Sequence, residues 1–327
     1  MKKQVIFSGI QPTGNLHIGN YLGAIKNWIE LQESGKYDCY FCIVDYHALT
    51  GNLGAKERRA QILKTAAELL ALGVDPDKST FFIQSYVPEH TELAWILNTV
   101  SPFSELERMT QFKDKSKQQK KNVNVGLFTY PVLQAADILM YHGDFVPVGE
   151  DQVQHVELTR DVAKWFNKRY GDYFPETKVK LTKIPRVKSL LDPEKKMSKS
   201  LGPNHVVELA DEPAVLEKKF KKAVTATKPG DMTPGVQNLM NIVYAFEDRT
   251  ISKAFEFAME EKTIQYGKLK ESAARGVSAF FEEFREKRKE LLVNPAKVAD
   301  MLDDGALRAR EVAQKTLEDV RTLVGLR

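Results

Sequence analysis

Residues Asp38 to Val44, DCYFCIV, form a near-continuous apolar run. A strand buried on one face alternates apolar and polar side chains. An unbroken run therefore calls for a sheet covered on both faces, as parallel sheets wrapped by helices are. Neighbouring segments repeat the demand. Gln4–Ser8 reads as a first strand, Thr80–Ile83 as a third and Phe145–Gly149 as another. Between them Ala55–Leu72, Glu92–Val100 and Gly126–Tyr141 carry apolar residues at helical spacing, and Glu150 opens a further long helix. This alternation predicts an α/β fold, a doubly wound parallel sheet whose ligands sit at the carboxyl ends of the strands. Gln11, Asp45 and His47 fall at such ends.

From about residue 205 the strand signals vanish. Glu212–Val224, Val236–Ala245, Ser252–Glu261, Tyr266–Leu292 and Pro295–Val324 all read as helices. A chain of 327 residues is long enough for two domains. The expected division is an α/β domain over 1–204 and a helical domain over 205–327, with the last helix able to pack back on the first domain. No apolar run approaches bilayer length and Val5-Ile6-Phe7 is too short for a signal-peptide core, so a cytoplasmic protein is expected. A net charge of +4 permits a nucleic-acid partner without demanding one, so local clusters carry more weight. Lys218, Lys219, Lys221 and Lys222 form one cluster, and the segment from Lys113 to Lys121 another. Cys39 and Cys42 lie in the apolar run, where i and i+3 face opposite sides, and are expected in the core rather than on a metal.

Two stretches carry chemistry. The first, Thr13-Gly14-Asn15-Leu16-His17-Ile18-Gly19-Asn20, is a strand-to-helix corner, where glycine lets backbone approach a ligand and exposed N–H groups attract phosphate. Asn15-Leu16 stands where a phosphate loop needs Lys-Ser/Thr, and no G-x-G-x-x-G occurs in the corner. What remains is His17 and Asn20 at i, i+3, which taken alone fits a helix cap with a surface histidine rather than a ligand site. The second, Lys196-Met197-Ser198-Lys199-Ser200, is flanked by Pro193 and by Gly202-Pro203 and reads as a loop. In the helix Gly126–Tyr141, Asp137 is the only charge and shares a face with Tyr130 and Gln134. A buried carboxylate needs a partner. That partner is either a nearby arginine or backbone amide, or the N–H of a ligand.

Together TGNLHIGN and KMSKS resemble the two ATP-binding signatures of class I aminoacyl-tRNA synthetases, with Asn20 in place of the usual last histidine of the first. The segments FSGIQPTGNLHIGNYLGA, CYFCIVDYHALT, LERMTQFKDKS, YPVLQAADIL, VPVGEDQ and HVELTRD then resemble the bacterial tryptophanyl-tRNA synthetase family, in order and at proper spacing. Gln134 stands where that family commonly has methionine, and Leu201 where an acidic residue usually follows the loop.

The resemblance implies a Rossmann-like catalytic domain, an anticodon-binding helical domain, a homodimer, and tryptophan, ATP, Mg²⁺ and a tryptophan-specific tRNA as partners. It implies that Lys196 and Lys199, with Lys115, stabilise the departing pyrophosphate. Gln11, Pro12, Thr13, His17, Gly19 and Asn20, together with Lys196, Met197, Ser198, Lys199 and Ser200, would hold ATP. Gly149, Glu150 and Asp151 would hold its ribose, and the Val187 backbone its adenine. For tryptophan, Asp137 would accept the indole N–H, and Phe7, His47, Met109, Val146 and Val148 would line the ring. Tyr130, Gln152 and Gln11 would hold the ammonium and carboxylate, with Gln111 and Gln134 as further contacts. No resident metal site is expected. In the sibling tyrosyl family a tyrosine at the position of Phe7 helps bind the substrate hydroxyl, whereas Phe7 offers a phenol no hydrogen bond. A small-molecule nucleotidyltransferase would not need the helical tail. A catalytically dead RNA-binding paralogue would be expected to have lost Lys196, Lys199 or Asp137, and all three are present.

Overall fold

The computed structural model describes residues 3–110, 112, 123–149, 152–181 and 187–326. These fall into two compact units, neither continuous in sequence. The first comprises residues up to Gly14, Ala24–Thr182 and Leu291 onward, and the second Asn15–Gly23 and Lys183–Glu290. The sequence reading divides the chain once, at 204; the packing divides it after residues 14, 23, 182 and 290.

The first unit is built on a five-stranded sheet ordered β3-β2-β1-β4-β5, every pair parallel. Its strands are β1 (Gln4–Ile10), β2 (Tyr37–Ile43), β3 (Thr80–Ile83), β4 (Phe145–Val148) and β5 (Lys178–Leu181). Residues 39–43 of β2 are buried on both faces, as the unbroken run requires. Cys39 and Cys42 are buried free thiols, and burial pushes the Cys39 thiol up to about 12. β5 escapes the sequence reading because its KVKL alternates lysine with apolar residues, the pattern of an exposed edge strand. Strand order reverses between β1 and β4, and doubly wound sheets bind ligands beyond the carboxyl ends at such a switch. Gln11 follows β1 there, and Gly149 follows β4.

Helices Ala55–Ala71, Glu89–Asn98, Val125–Leu139, Val153–Tyr170 and Pro295–Val324 cover this sheet. The last lies against β3 so closely that Gly305 has no room for a side chain, because a Cβ there would strike the Phe81 carbonyl oxygen. Thr316 Oγ1 donates to Met140 O at 2.8 Å, and Arg310 Nε meets Glu89 Oε1 at 2.9 Å.

The second unit holds the helices Pro213–Lys221, Pro234–Phe246, Arg249–Glu260 and Tyr266–Phe280, and most of Glu282–Val293. The single helix expected over 266–292 is broken at Phe281. Phe281 leaves helical geometry to fill an aromatic core with Tyr21, Phe246 and Phe284, edged by the exposed Phe280, and is 1% exposed.

Gly305→Ala is expected to destabilise the protein by about 1–3 kcal/mol, since rigid backbone rather than a movable side chain opposes the new methyl. Denaturant unfolding checks this: the midpoint falls, and the far-UV spectrum before the transition is unchanged.

Candidate active site

In the first unit the Asp137 carboxylate is 1% exposed and surrounded by donors. His47 Nε2 lies 2.8 Å from Oδ2; Gln84 Nε2 and His90 Nδ1 lie 2.7 and 2.6 Å from Oδ1. The protein partners expected from sequence, as the alternative to a ligand N–H, were an arginine or a backbone amide; the structure supplies two imidazoles and a carboxamide in their place. Burial works to raise the Asp137 carboxyl, and hydrogen bonds and charge from His47 and His90 outweigh it and hold it below its ordinary value. The second partners are also fixed. Gln84 Oε1 accepts from the Tyr46 N–H at 3.1 Å, and His90 Nε2 lies 2.7 Å from the Tyr141 hydroxyl. Tyr141 stacks on Phe7 and on Tyr40.

Around this carboxylate the structure gathers several of the residues singled out in the sequence. Tyr130 packs edge-on to His47 with ring centroids 6.1 Å apart, and its hydroxyl lies 2.9 Å from His155 Nε2. Burial pushes the Tyr130 phenol up to about 12, so it remains a hydroxyl at neutral pH. Phe7, Met109 and Val146 belong to one apolar core, with Val148 packed against it. Gln134 is partly buried on the Asp137 helix. Gln152 caps the Val153–Tyr170 helix and its N–H donates to Gly149 O at 3.0 Å. Gln11 is half-buried, Pro12 buried and Thr13 exposed. Gln111, Lys115, Glu150 and Asp151 lie outside the described residues.

The second unit brings the two ATP-type stretches into electrostatic reach. His17 caps the short helix Ile18–Asn20 in a reciprocal box: its Nδ1 accepts from the Gly19 N–H at 3.1 Å, and its own N–H donates to Asn20 Oδ1 at 3.1 Å. An Nδ1 that accepts carries no proton, so the ring presents Nε2–H as a donor. Burial, and then the charges of Lys199 and Lys196, lower the His17 pKa to about 4, which leaves the ring neutral at physiological pH. Asn20, its oxygen engaged, keeps its amide N–H₂ as donor. The cap reading and the ligand reading of this corner are therefore compatible. Gly19 is required because a Cβ there would lie 2.9 Å from the His17 ring.

The lysine-serine segment is anchored by an antiparallel bridge between Lys188 and Lys196, and by the Met197 N–H donating to Val187 O at 3.1 Å. Met197 is 2% exposed and holds the segment down by its side chain. Asn238 clamps both backbone groups of Lys188, at 2.8 and 3.0 Å. Ser198 and Ser200 pair through their hydroxyls, and Lys199–Leu201 forms a single 3-10 turn.

One expectation needs correction. Lys219 is not part of a solvated basic patch: it is buried and its Nζ holds Asp211 Oδ2 at 2.6 Å. Lys218, Lys221 and Lys222 are exposed. Lys221, Lys270, Arg275 and Arg285 line a groove of about 810 Å³ in the same unit. Arg285 there is buried, and among the described residues neither it nor Lys270 has an ion-pair partner. Burial lowers the Lys270 ammonium. No helix among the described residues is long and apolar enough to cross a membrane.

Within the second unit a neutral imidazole donor at a helix start lies in electrostatic reach of two loop lysines, groups suited to phosphate. The chain belongs to the tRNA synthetases class I (W and Y), whose family model matches residues 1–282. It is 46% identical over 334 residues to a tryptophan–tRNA ligase of Wolinella succinogenes, covering 100% of both chains. It is also 46% identical to the tryptophan–tRNA ligase of Clostridium acetobutylicum, over 99% of this chain and 97% of that one. The tryptophanyl-tRNA synthetase of Campylobacter jejuni, solved in complex with ADP and tryptophan, superposes with a TM-score of 0.87 at 36% identity, covering 99% of this chain and 100% of that one.

The site generates a titration prediction. His17 should change protonation near pH 4, and Lys199→Met should move that midpoint upward, because a cation that disfavours the imidazolium is gone. The His17 ring resonance followed by NMR against pH checks both. A midpoint near 6.5 in the unaltered protein would contradict the burial of the ring first, and its nearness to the lysines second.

Proposed function

We propose that this chain activates L-tryptophan with ATP to tryptophanyl-adenylate and pyrophosphate, then transfers the tryptophanyl group to the terminal adenosine of its tRNA. It is a tryptophan–tRNA ligase. One observation carries the amino-acid assignment: an ionised carboxylate, Asp137, buried in the apolar wall where an indole N–H needs an acceptor. Phe7 offers nothing to a phenol hydroxyl, which disfavours tyrosine, and the full-length relatives named for tryptophan agree.

In the first step the tryptophan carboxylate attacks the α-phosphorus of ATP. The bond to the bridging oxygen breaks, and pyrophosphate leaves with that electron pair. The nucleophile is already ionised at neutral pH, so no general base is needed. Catalysis rests on positioning and on stabilising charge that develops on the leaving group. In this reading Lys196 and Lys199, with Lys115, meet that charge, while His17 Nε2–H and the Asn20 amide donate neutral hydrogen bonds to phosphate and ribose oxygens. Neutral donors bind ATP without holding pyrophosphate so tightly that it cannot leave. Gly149, Glu150 and Asp151 take the ribose, and Val187 the adenine. Tyr130, Gln152 and Gln11 hold the substrate ammonium and carboxylate, with Gln111 and Gln134 as further contacts. Mg²⁺ would be carried in with the ATP phosphates and would supply charge neutralisation there.

The helices from Pro213–Lys221 through Glu282–Val293 are assigned to tRNA. Support comes from exposed Lys218, Lys221 and Lys222 at the end of the first, and from the groove where Arg285 and Lys270 lack carboxylate partners. A homodimer acting in the cytoplasm completes the reading.

Pyrophosphate exchange run separately with tryptophan and tyrosine tests the function. Tryptophan should support exchange and tyrosine should not; equal rates would overturn the assignment. Lys199→Ala should slow single-turnover adenylation by about 2.7–4 kcal/mol of transition-state stabilisation, with tryptophan affinity nearly intact. Replacing Lys218, Lys221, Lys222 and Lys270 with glutamine, and leaving Lys219 in its buried pair, should weaken tRNA charging and flatten its salt dependence. Exchange, which needs no tRNA, should survive. Equal loss in both assays would make the basic face structural.

A further inference from the structure

Asp137 has more partners than a simple acceptor of one substrate N–H needs, and they are distributed unequally. An ionised carboxylate has about four lone-pair sites, two on each oxygen. Oδ1 is met by two donors, Gln84 Nε2 at 2.7 Å and His90 Nδ1 at 2.6 Å, whereas Oδ2 is met by one, His47 Nε2 at 2.8 Å. The donor roles follow from the neighbours. Tyr46 N–H occupies Gln84 Oε1, so the Gln84 amide must turn its N–H₂ to Asp137. His90 Nδ1 faces the ionised Oδ1 and so carries a proton, while its Nε2 meets the Tyr141 hydroxyl, which burial keeps protonated.

We propose that Gln84, His90 and Tyr141 are specificity-determining positioning residues: they saturate Oδ1 of Asp137 and fix the carboxylate plane, so that the single remaining lone pair, on Oδ2, selects a substrate ring bearing an N–H. None of the three touches the substrate in this account, and each acts through Asp137. Both histidines and Gln84 are buried, at 4%, 0% and 0% exposure, so water is not a ready substitute donor. The inference rests on the tryptophan assignment and goes beyond it, because it gives Gln84 and His90 a selective role in addition to stabilising the buried charge.

The arrangement has a pH signature. The groups facing Asp137 are His47 after β2, Cys42 within β2, His90 on its helix and Tyr141 following the Asp137 helix; the Asp137 charge itself helps raise the Cys42 thiol and the Tyr141 phenol. Removing His90 takes away one influence that lowers the Asp137 carboxyl while burial continues to raise it. The carboxylate then protonates at higher pH, and selection for an N–H fails as pH falls through that raised value.

The test compares kcat/KM for tryptophan and for its benzothiophene analogue, in which sulfur replaces the ring N–H. The enzymes are the unaltered protein, Asp137→Asn, Gln84→Met, His90→Phe and His90→Asn, each followed from pH 5.5 to 8.5. Gln84→Met and His90→Phe are expected to lower the preference for tryptophan by about threefold to tenfold, the range of one net hydrogen bond. His90→Phe should also move the acid limb upward for tryptophan alone. His90→Asn keeps an amide donor where Nδ1 stood and should restore most of the preference. A general packing defect would instead reduce both substrates equally and leave the profile unmoved. If Asp137→Asn lowers the preference while the Gln84 and His90 variants do not, the positioning role is overturned and the substrate assignment stands. If Asp137→Asn itself leaves the preference intact, the assignment fails too.

Discussion

A carboxylate buried to 1% exposure is the interaction on which the sheet-bearing unit turns. An ionised group at that depth is costly unless donors replace the water it has lost. Here the donors come from three separate segments: His47 beyond β2, Gln84 beyond β3 and His90 at the start of the following helix. Each segment follows a strand of the same parallel sheet, so strand register sets the donors' positions. The sheet, whose central strands tolerate no polar face, thus delivers these donors at its carboxyl ends. Fold and chemistry meet there because the parallel topology places every strand's exit on one edge.

The second unit solves a different problem. Phosphate needs donors, and leaving pyrophosphate needs cations. In the proposed reading His17 supplies the first: it is a neutral ring whose tautomer is set by the Gly19 N–H, and its burial beside Lys196 and Lys199 prevents it from becoming a third positive charge. The capping box that shapes the helix start also aims the ring, so the same local motif that builds the helix start would present the donor the proposed function uses. The lysines sit on a segment pinned by Met197, Val187 and Asn238, which gives long flexible side chains a fixed base.

The architecture was legible in the sequence wherever periodicity was strong, as at β2, at Thr80–Ile83 and at Pro295–Val324, each of which lies where its pattern places it. Edge strand β5 was not, because alternating lysines resemble a loop. Phe281 was not, because an aromatic that breaks a helix to fill a core looks like another helical apolar residue. Asp137 announced itself as the one charge on an apolar helix, yet Gln84 and His90 lie 53 and 47 residues away in sequence and carry no local sign of pairing with it. Lys219 misled for the complementary reason: a lysine among lysines looks solvated until its partner Asp211, eight residues back, is seen in three dimensions. Patterns within one element could be read; pairings between elements depend on the fold.

The central claim is that Asp137 accepts the indole N–H of tryptophan. The most direct measurement is the NMR resonance of that proton in [15Nε1]-tryptophan bound to the enzyme. The account predicts a downfield-shifted signal that exchanges slowly with water and moves back upfield in Asp137→Asn. A bound indole N–H at its aqueous position, exchanging freely and indifferent to residue 137, would contradict it.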